Sequence, residues 1–159
     1  MDTPARVGNE GAREMKATVP DSKPMPISVV IATLGGPTLR GTIETLNRGS
    51  IVPAEILVCL PPVEAARGLD FSFANVRVVQ TGCRGQVGQR SEGFRQAASD
   101  FVLQLDDDIA VSHNCLEYLL AAASEVPDAA VAPALVNSRT GDSVYRVSHQ
   151  GGLFRSAYH

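Results

Sequence analysis

Three consecutive aspartates, Asp106, Asp107 and Asp108, directly follow the apolar run Phe101-Val-Leu-Gln-Leu105. Such a run reads as a strand, so the acids emerge at its carboxyl end. In open α/β sheets that end is where ligands bind, near the point where strand order reverses. If the backbone stays extended, Asp106 and Asp108 project to one side and Asp107 to the other. Carboxylates held this close repel one another unless a cation lies among them. Mg2+ or Mn2+ suits that role, because hard cations take oxygen ligands and commonly share them with substrate phosphates. A second reading stays open, in which the acids only precede a helix capped by Ser112 and complement its N-terminal dipole. Arginine forks match phosphate oxygens, and from Ile27 onward arginine is the sole strong cation; both lysines, Lys16 and Lys23, lie before it. A GC-rich coding sequence explains that bias equally well.

The elements that must position these groups alternate. Ile27-Ser-Val-Val-Ile-Ala-Thr33 is a β-branched run of the kind found in buried parallel strands. Gly35-Gly36-Pro37 interrupts it, and Pro37 suits the first turn of a helix. Leu39, Ile43 and Leu46 recur at helical spacing, with Gly49 as the stop. Ile56–Leu60 predicts a second buried strand, ended by Pro61-Pro62, and Val76–Val79 a weaker third. Gln86–Ala98 predicts a helix despite Gly88 and Gly93. After the strand at Phe101–Leu105, a helix runs to Glu125 with Leu116, Leu119, Leu120 and Ala123 on one face. Ala130–Val136 predicts a fifth strand, and Asn137–Asp142 a turn before Ser143–Val147. Strands alternating with helices imply an α/β, Rossmann-like, mostly parallel sheet with flanking helices.

Composition narrows the function classes. The 159 residues are 44% hydrophobic and 19% charged, enough for one folded domain. A net charge of −3 argues against a general nucleic-acid binder. Cys59, Cys83 and Cys115 form no CxxC pair, which excludes a zinc-finger framework and suits a reducing compartment. No apolar stretch approaches membrane-span length, and residues 1–24 lack the apolar core of a signal peptide. The expected location is therefore the cytoplasm, with peripheral association at the inner face of the membrane as an extension. Residues 1–24 hold four basic and four acidic residues (Arg6, Arg13, Lys16, Lys23; Asp2, Glu10, Glu14, Asp21) and read as a disordered tail.

Taken in order, Ile27–Thr33, Thr42-Ile-Glu-Thr-Leu46, Pro53-Ala-Glu-Ile-Leu-Val58, the Gly85–Gly93 segment with Arg90, and Ser99–Asp108 resemble the donor-binding half of a family 2 glycosyltransferase with the GT-A fold. The resemblance spans about Pro26 to Val136, and its most specific piece is Leu105-Asp-Asp-Asp108. It implies a GT-A-like nucleotide-sugar-binding domain over residues 25–159, with a donor that is a UDP-sugar and an acceptor that is an unspecified glycan or lipid-linked molecule. It implies Mn2+ or Mg2+ held by Asp108 and Asp106, with Asp106 also approaching the ribose. Thr33 then lies against the base, Arg90 faces the donor, and Asp107 completes the donor-binding set. The family's usual setting is polysaccharide or cell-envelope assembly.

Three departures alter this picture. Where the family carries an Asp-Asp-Gly-Ser-like turn after the second strand, this chain has Cys59-Leu60-Pro61-Pro62, with no carboxylate until Glu64. The usual Arg-Asn pair reads Arg90-Ser91. The sequence also stops at His159, before most of the acceptor half that supplies the general base; Asp128 and Asp142 do not match that position, and His149 is a lone loop histidine. A truncated fold is expected, with an exposed sheet edge open to self-association. Two alternatives stand beside a metal-dependent transferase. One is a catalytically incomplete donor-binding fragment. The other is a sugar-1-phosphate nucleotidyltransferase, whose glycine-rich phosphate loop Gly35-Gly36-Pro-Thr-Leu-Arg40 partly resembles.

Overall fold

A computed structural model describes residues 26–65, 69 and 71–144. The elements run β1 (Ile27–Ala32), α1 (Leu39–Asn47), β2 (Glu55–Leu60), α2 (Pro62–Ala65), β3 (Val76–Gln80), α3 (Gln86–Gln96), β4 (Phe101–Leu105) and α4 (Cys115–Glu125). The expected tail at 1–24, the end of the second short segment at 145–147, and His149 lie outside the described residues.

All four strands pair in parallel, in the order β3-β2-β1-β4. The chain steps outward from β1 to β2 to β3, then crosses back to place β4 on the far side of β1. The reversal therefore falls between β1 and β4, where a parallel sheet opens a crevice at its carboxyl ends. Ile31 aligns with Leu105, Ala32 with Cys59, and Leu60 with Gln80, so the strands finish level with one another.

Period-two alternation distributes the strand side chains between two layers. Ile27, Val29, Ile31, Ile56, Val58 and Leu60 pack with Leu39, Ile43 and Leu46 of α1 and Leu116, Leu119 and Leu120 of α4. Val30, Leu57, Cys59 and Val79 face the other layer, closed by α3. Full burial of each large aliphatic side chain contributes about 1.5–3 kcal/mol, so the central strands dominate stability. The approach of α3 depends on Gly93, since a Cβ there would lie 2.7 Å from Cys59 Sγ and closer still to Val30 Cγ1.

The periphery departs from expectation. Ala130–Val136 is not a strand; the described residues hold one antiparallel bridge there, between Val136 and Ser143. Pro133 interrupts that apolar run and has no N–H to donate to a ladder. The Asn137 N–H bonds the Asp142 carbonyl at 2.8 Å, and its side chain accepts from the Arg139 N–H at 2.9 Å, so the expected turn is present. The N-cap of α4 is Asn114 rather than Ser112, whose carbonyl instead accepts the Cys115 N–H at 3.0 Å. β4 reads as a buried strand from its composition, yet none of its side chains is fully buried and Val102 is exposed.

Candidate functional site

The three aspartates continue β4 into the crevice beside β1. Asp106 and Asp108 are exposed and Asp107 is half-buried, but the backbone turns at Asp107 and Asp108 rather than staying extended past Leu105. Asp107 turns toward β1 and accepts a hydrogen bond from the Thr33 hydroxyl. That hydroxyl in turn accepts the Gly35 N–H at 2.9 Å, and Gly35 has φ +80°, a conformation glycine adopts without strain. Asp106 turns toward α3, where Arg90 pairs with its Oδ1. Arg90 Nε is buried and has no acceptor among the described residues. No side-chain partner holds Asp108 among the described residues. The structure thus brings Thr33, Arg90, Asp106 and Asp107 together in one crevice, with Asp108 adjoining it.

The helix α1 fixes this loop from below. The Thr42 hydroxyl donates to the Asp107 carbonyl at 3.0 Å, and Thr45 Oγ1, one turn on, accepts the Val111 N–H at 3.1 Å. Past the end of α1, the Ser50 N–H donates to the His113 carbonyl at 2.8 Å. Two hydroxyls at i, i+3 on an otherwise apolar helix face were the sequence signal for this support, although it does not name their partners.

Gln89 ties the third side of the crevice. It is 2% exposed, and its amide nitrogen donates to the Thr33 carbonyl at 2.8 Å and the Cys59 carbonyl at 2.6 Å. Its amide oxygen accepts the Gly85 N–H at 3.2 Å. One side chain therefore joins the ends of β1 and β2 to the start of α3. Cys59 beside it is an inert packing thiol, because burial pushes its pKa up to about 11.

Glu64, reached four residues after β2 ends, is 5% exposed. Arg84, on the loop between β3 and α3, lies 3.4 Å from its Oε1, while Oε2 is buried with no hydrogen-bond partner among the described residues. A buried acceptor left unsatisfied costs about 1–3 kcal/mol, and more when charged. The sequence displays Glu64 as the first acid after β2 but gives no sign of its burial.

A divalent ion needs several oxygen ligands. Among the described residues, no group of three or more His, Cys, Asp or Glu stands arranged to hold a metal. The two exposed carboxylates of the loop, Asp106 and Asp108, are oxygen donors of the type such an ion takes, but they would leave most of its shell to other ligands, and Asp106 is already paired with Arg90. The Gly35-Gly36 turn fits a phosphate loop poorly, since the Gly35 N–H is already held by Thr33. No described helix is long and apolar enough to cross a membrane.

A parallel sheet with its acids at the strand-order reversal is the α/β, GT-A-like arrangement. No curated protein matches the sequence. The family model described as "Glycosyl transferase family 2" matches residues 61–158, more than half of the chain and including the aspartate loop. Proteins of that family commonly use divalent metals, and their activity implies a nucleotide-sugar donor and an acceptor. On this match and the topology that agrees with it, the chain belongs to glycosyl transferase family 2.

Proposed function

We propose that residues 25–159 bind the diphosphate of a nucleotide-sugar, a UDP-sugar in the first instance, and transfer its sugar to a glycan or lipid-linked acceptor. The observation that carries this reading is the meeting of Asp106–Asp108 with Thr33 and Arg90 at the reversal of strand order. Asp108 and Asp106 would hold Mn2+ or Mg2+ on the diphosphate, and such an ion supplies Lewis-acid stabilisation of the leaving group. Arg90 contributes fixed positive charge where negative charge gathers as the sugar departs. Thr33, whose hydroxyl donates to Asp107, would lie against the base. The exposed outer edge of β4 supports self-association through that edge.

Calorimetric titration of the chain with UDP, with and without Mn2+, tests this reading. Metal-dependent binding is expected, with Asp108→Ala weakening it by at least about 100-fold while the protein stays folded. A folded Asp108→Ala protein that binds UDP and Mn2+ like the wild type would falsify the metal site. Metal-dependent binding without sugar transfer to any acceptor would instead favour the incomplete donor-binding fragment, because binding and transfer share the donor site but not the base.

A further inference from the structure

We infer that Gln89 is a positioning residue of the donor site that acts through Arg90: its buried amide fixes where α3 lies against β1 and β2, and so where the Arg90 guanidinium stands beside Asp106. The inference rests on the donor-binding reading above and adds to it a residue that touches no ligand.

α3 has little else to fix it. Its buried residues are Gln89 and Gly93, while its two large apolar side chains, Val87 and Phe94, are exposed. A helix on a sheet ordinarily takes its seat from a stripe of buried apolar side chains, which α3 does not have. Gly93 lets the helix come close to Val30 and Cys59, but a position without a side chain does not resist sliding or rotation. Gln89 lies one turn earlier on the same face and supplies that resistance, because a hydrogen bond specifies both distance and angle.

The amide is fully used. Its Nε2 carries two N–H groups, which donate to the Thr33 carbonyl at 2.8 Å and the Cys59 carbonyl at 2.6 Å, while Oε1 accepts the Gly85 N–H at 3.2 Å. Two donors and an acceptor on one planar group match these three partners. An ionised glutamate would bring no donor, methionine neither donor nor good acceptor, and asparagine is one methylene short. The anchors are themselves joined, since the Thr33 N–H donates to the Cys59 carbonyl at 3.1 Å. Arg90 follows Gln89 directly, about 100° further round the helix. Its guanidinium pairs with Asp106 at the end of β4, the strand on the other side of β1 from β2. A slide or turn of α3 carries that guanidinium with it, and the buried Arg90 Nε leaves the side chain little room to compensate.

The test measures the UDP affinity of the full chain with Mn2+ by calorimetry, well below the melting temperature of each variant. Gln89→Met keeps the length of the side chain and removes the amide, and should weaken binding at least about tenfold. Arg90→Ala should weaken it by at least about tenfold as well. Beside Arg90→Ala, Gln89→Met should cost less than about twofold further, because a residue that works through the guanidinium then has nothing left to place. A packing role alone would lower the melting temperature and leave affinity unchanged, or would cost the same affinity in both backgrounds. Should Gln89→Met not fold, Gln89→Asn, which keeps the amide but shortens its reach, runs the same cycle with the same expectation. A folded Gln89 variant that binds UDP within about twofold of the wild type, or a loss that persists in full beside Arg90→Ala, overturns the inference. If Asp108→Ala abolishes binding while the Gln89 variants bind like the wild type, the donor site stands and this inference alone falls. If the folded wild type does not bind UDP with Mn2+, both fall.

Discussion

At the amino end of β2, the Glu55 carboxylate accepts from the Ser28 hydroxyl at 2.7 Å, the Ala98 N–H at 2.6 Å and Arg77 at 3.5 Å. Just past the carboxyl end, Glu64 has one oxygen near an exposed arginine and the other without a hydrogen-bond partner among the described residues. Burial pushes the Glu55 pKa up, but those hydrogen bonds and the Arg77 charge outweigh it and leave the group below its ordinary value. The two acids are the same residue type, one opening β2 and the other on α2 just past its end, and among the described residues only the first has its bonding completed. Near the amino end the Ser99 N–H also donates to Ser28 Oγ at 3.1 Å, so the entry to β4 is tied to β1. At the carboxyl end the buried Glu64 Oε2 and Arg90 Nε have no hydrogen-bond partner among the described residues. Among the described residues, one edge of the sheet has its buried polar atoms paired, and the other leaves two of them unpaired.

Gly93 gives the largest way to break this division, because it serves both edges. Gly93→Ala should force α3 away from Val30 and Cys59 and cost about 3 kcal/mol, lowering Tm in thermal unfolding and loosening the Gln89 grip on Thr33. An unchanged Tm would show that α3 is not tightly seated. Glu55→Gln should cost about 1–2 kcal/mol at pH 7 and leave nucleotide affinity unchanged. Because the folded pKa of Glu55 is depressed, its contribution is complete above the unfolded glutamate value of about 4.3 and fades as pH falls below it through the folded value. Denaturant melts of wild type and variant should therefore converge in acid; a gap that persists there would assign the loss to packing. Asp108→Ala should do the reverse, removing binding while changing stability by no more than about 0.5 kcal/mol. The smallest effect belongs to Arg40→Ala, which should leave donor affinity within about twofold. A large loss there would point back to a phosphate loop at Gly35-Gly36.

The sequence exposes the central architecture because β1 and β2 are covered on both faces, and that demands continuous apolar runs such as Ile27–Ala32. It exposes the aspartates because three adjacent acids after such a run are locally conspicuous. The same logic overreaches at Ala130–Val136, where apolar composition suggested a strand that Pro133 and the lack of a paired ladder do not support. It is silent on Gln89 and does not name the partners of Thr42 and Thr45, because these lie 56, 65 and 66 residues away. Glu64 was visible as a residue, but neither its burial nor its pairing with Arg84 on the loop after β3 was.

The seat of α3 on the sheet also constrains how this chain can change over generations. Val30, Cys59 and the vacant side-chain position of Gly93 share one volume with no slack. A descendant that acquires a methyl group at position 93 keeps the sheet intact only if position 30 or 59 has already become smaller. Those three positions, separated by as many as 63 residues, must drift as a unit.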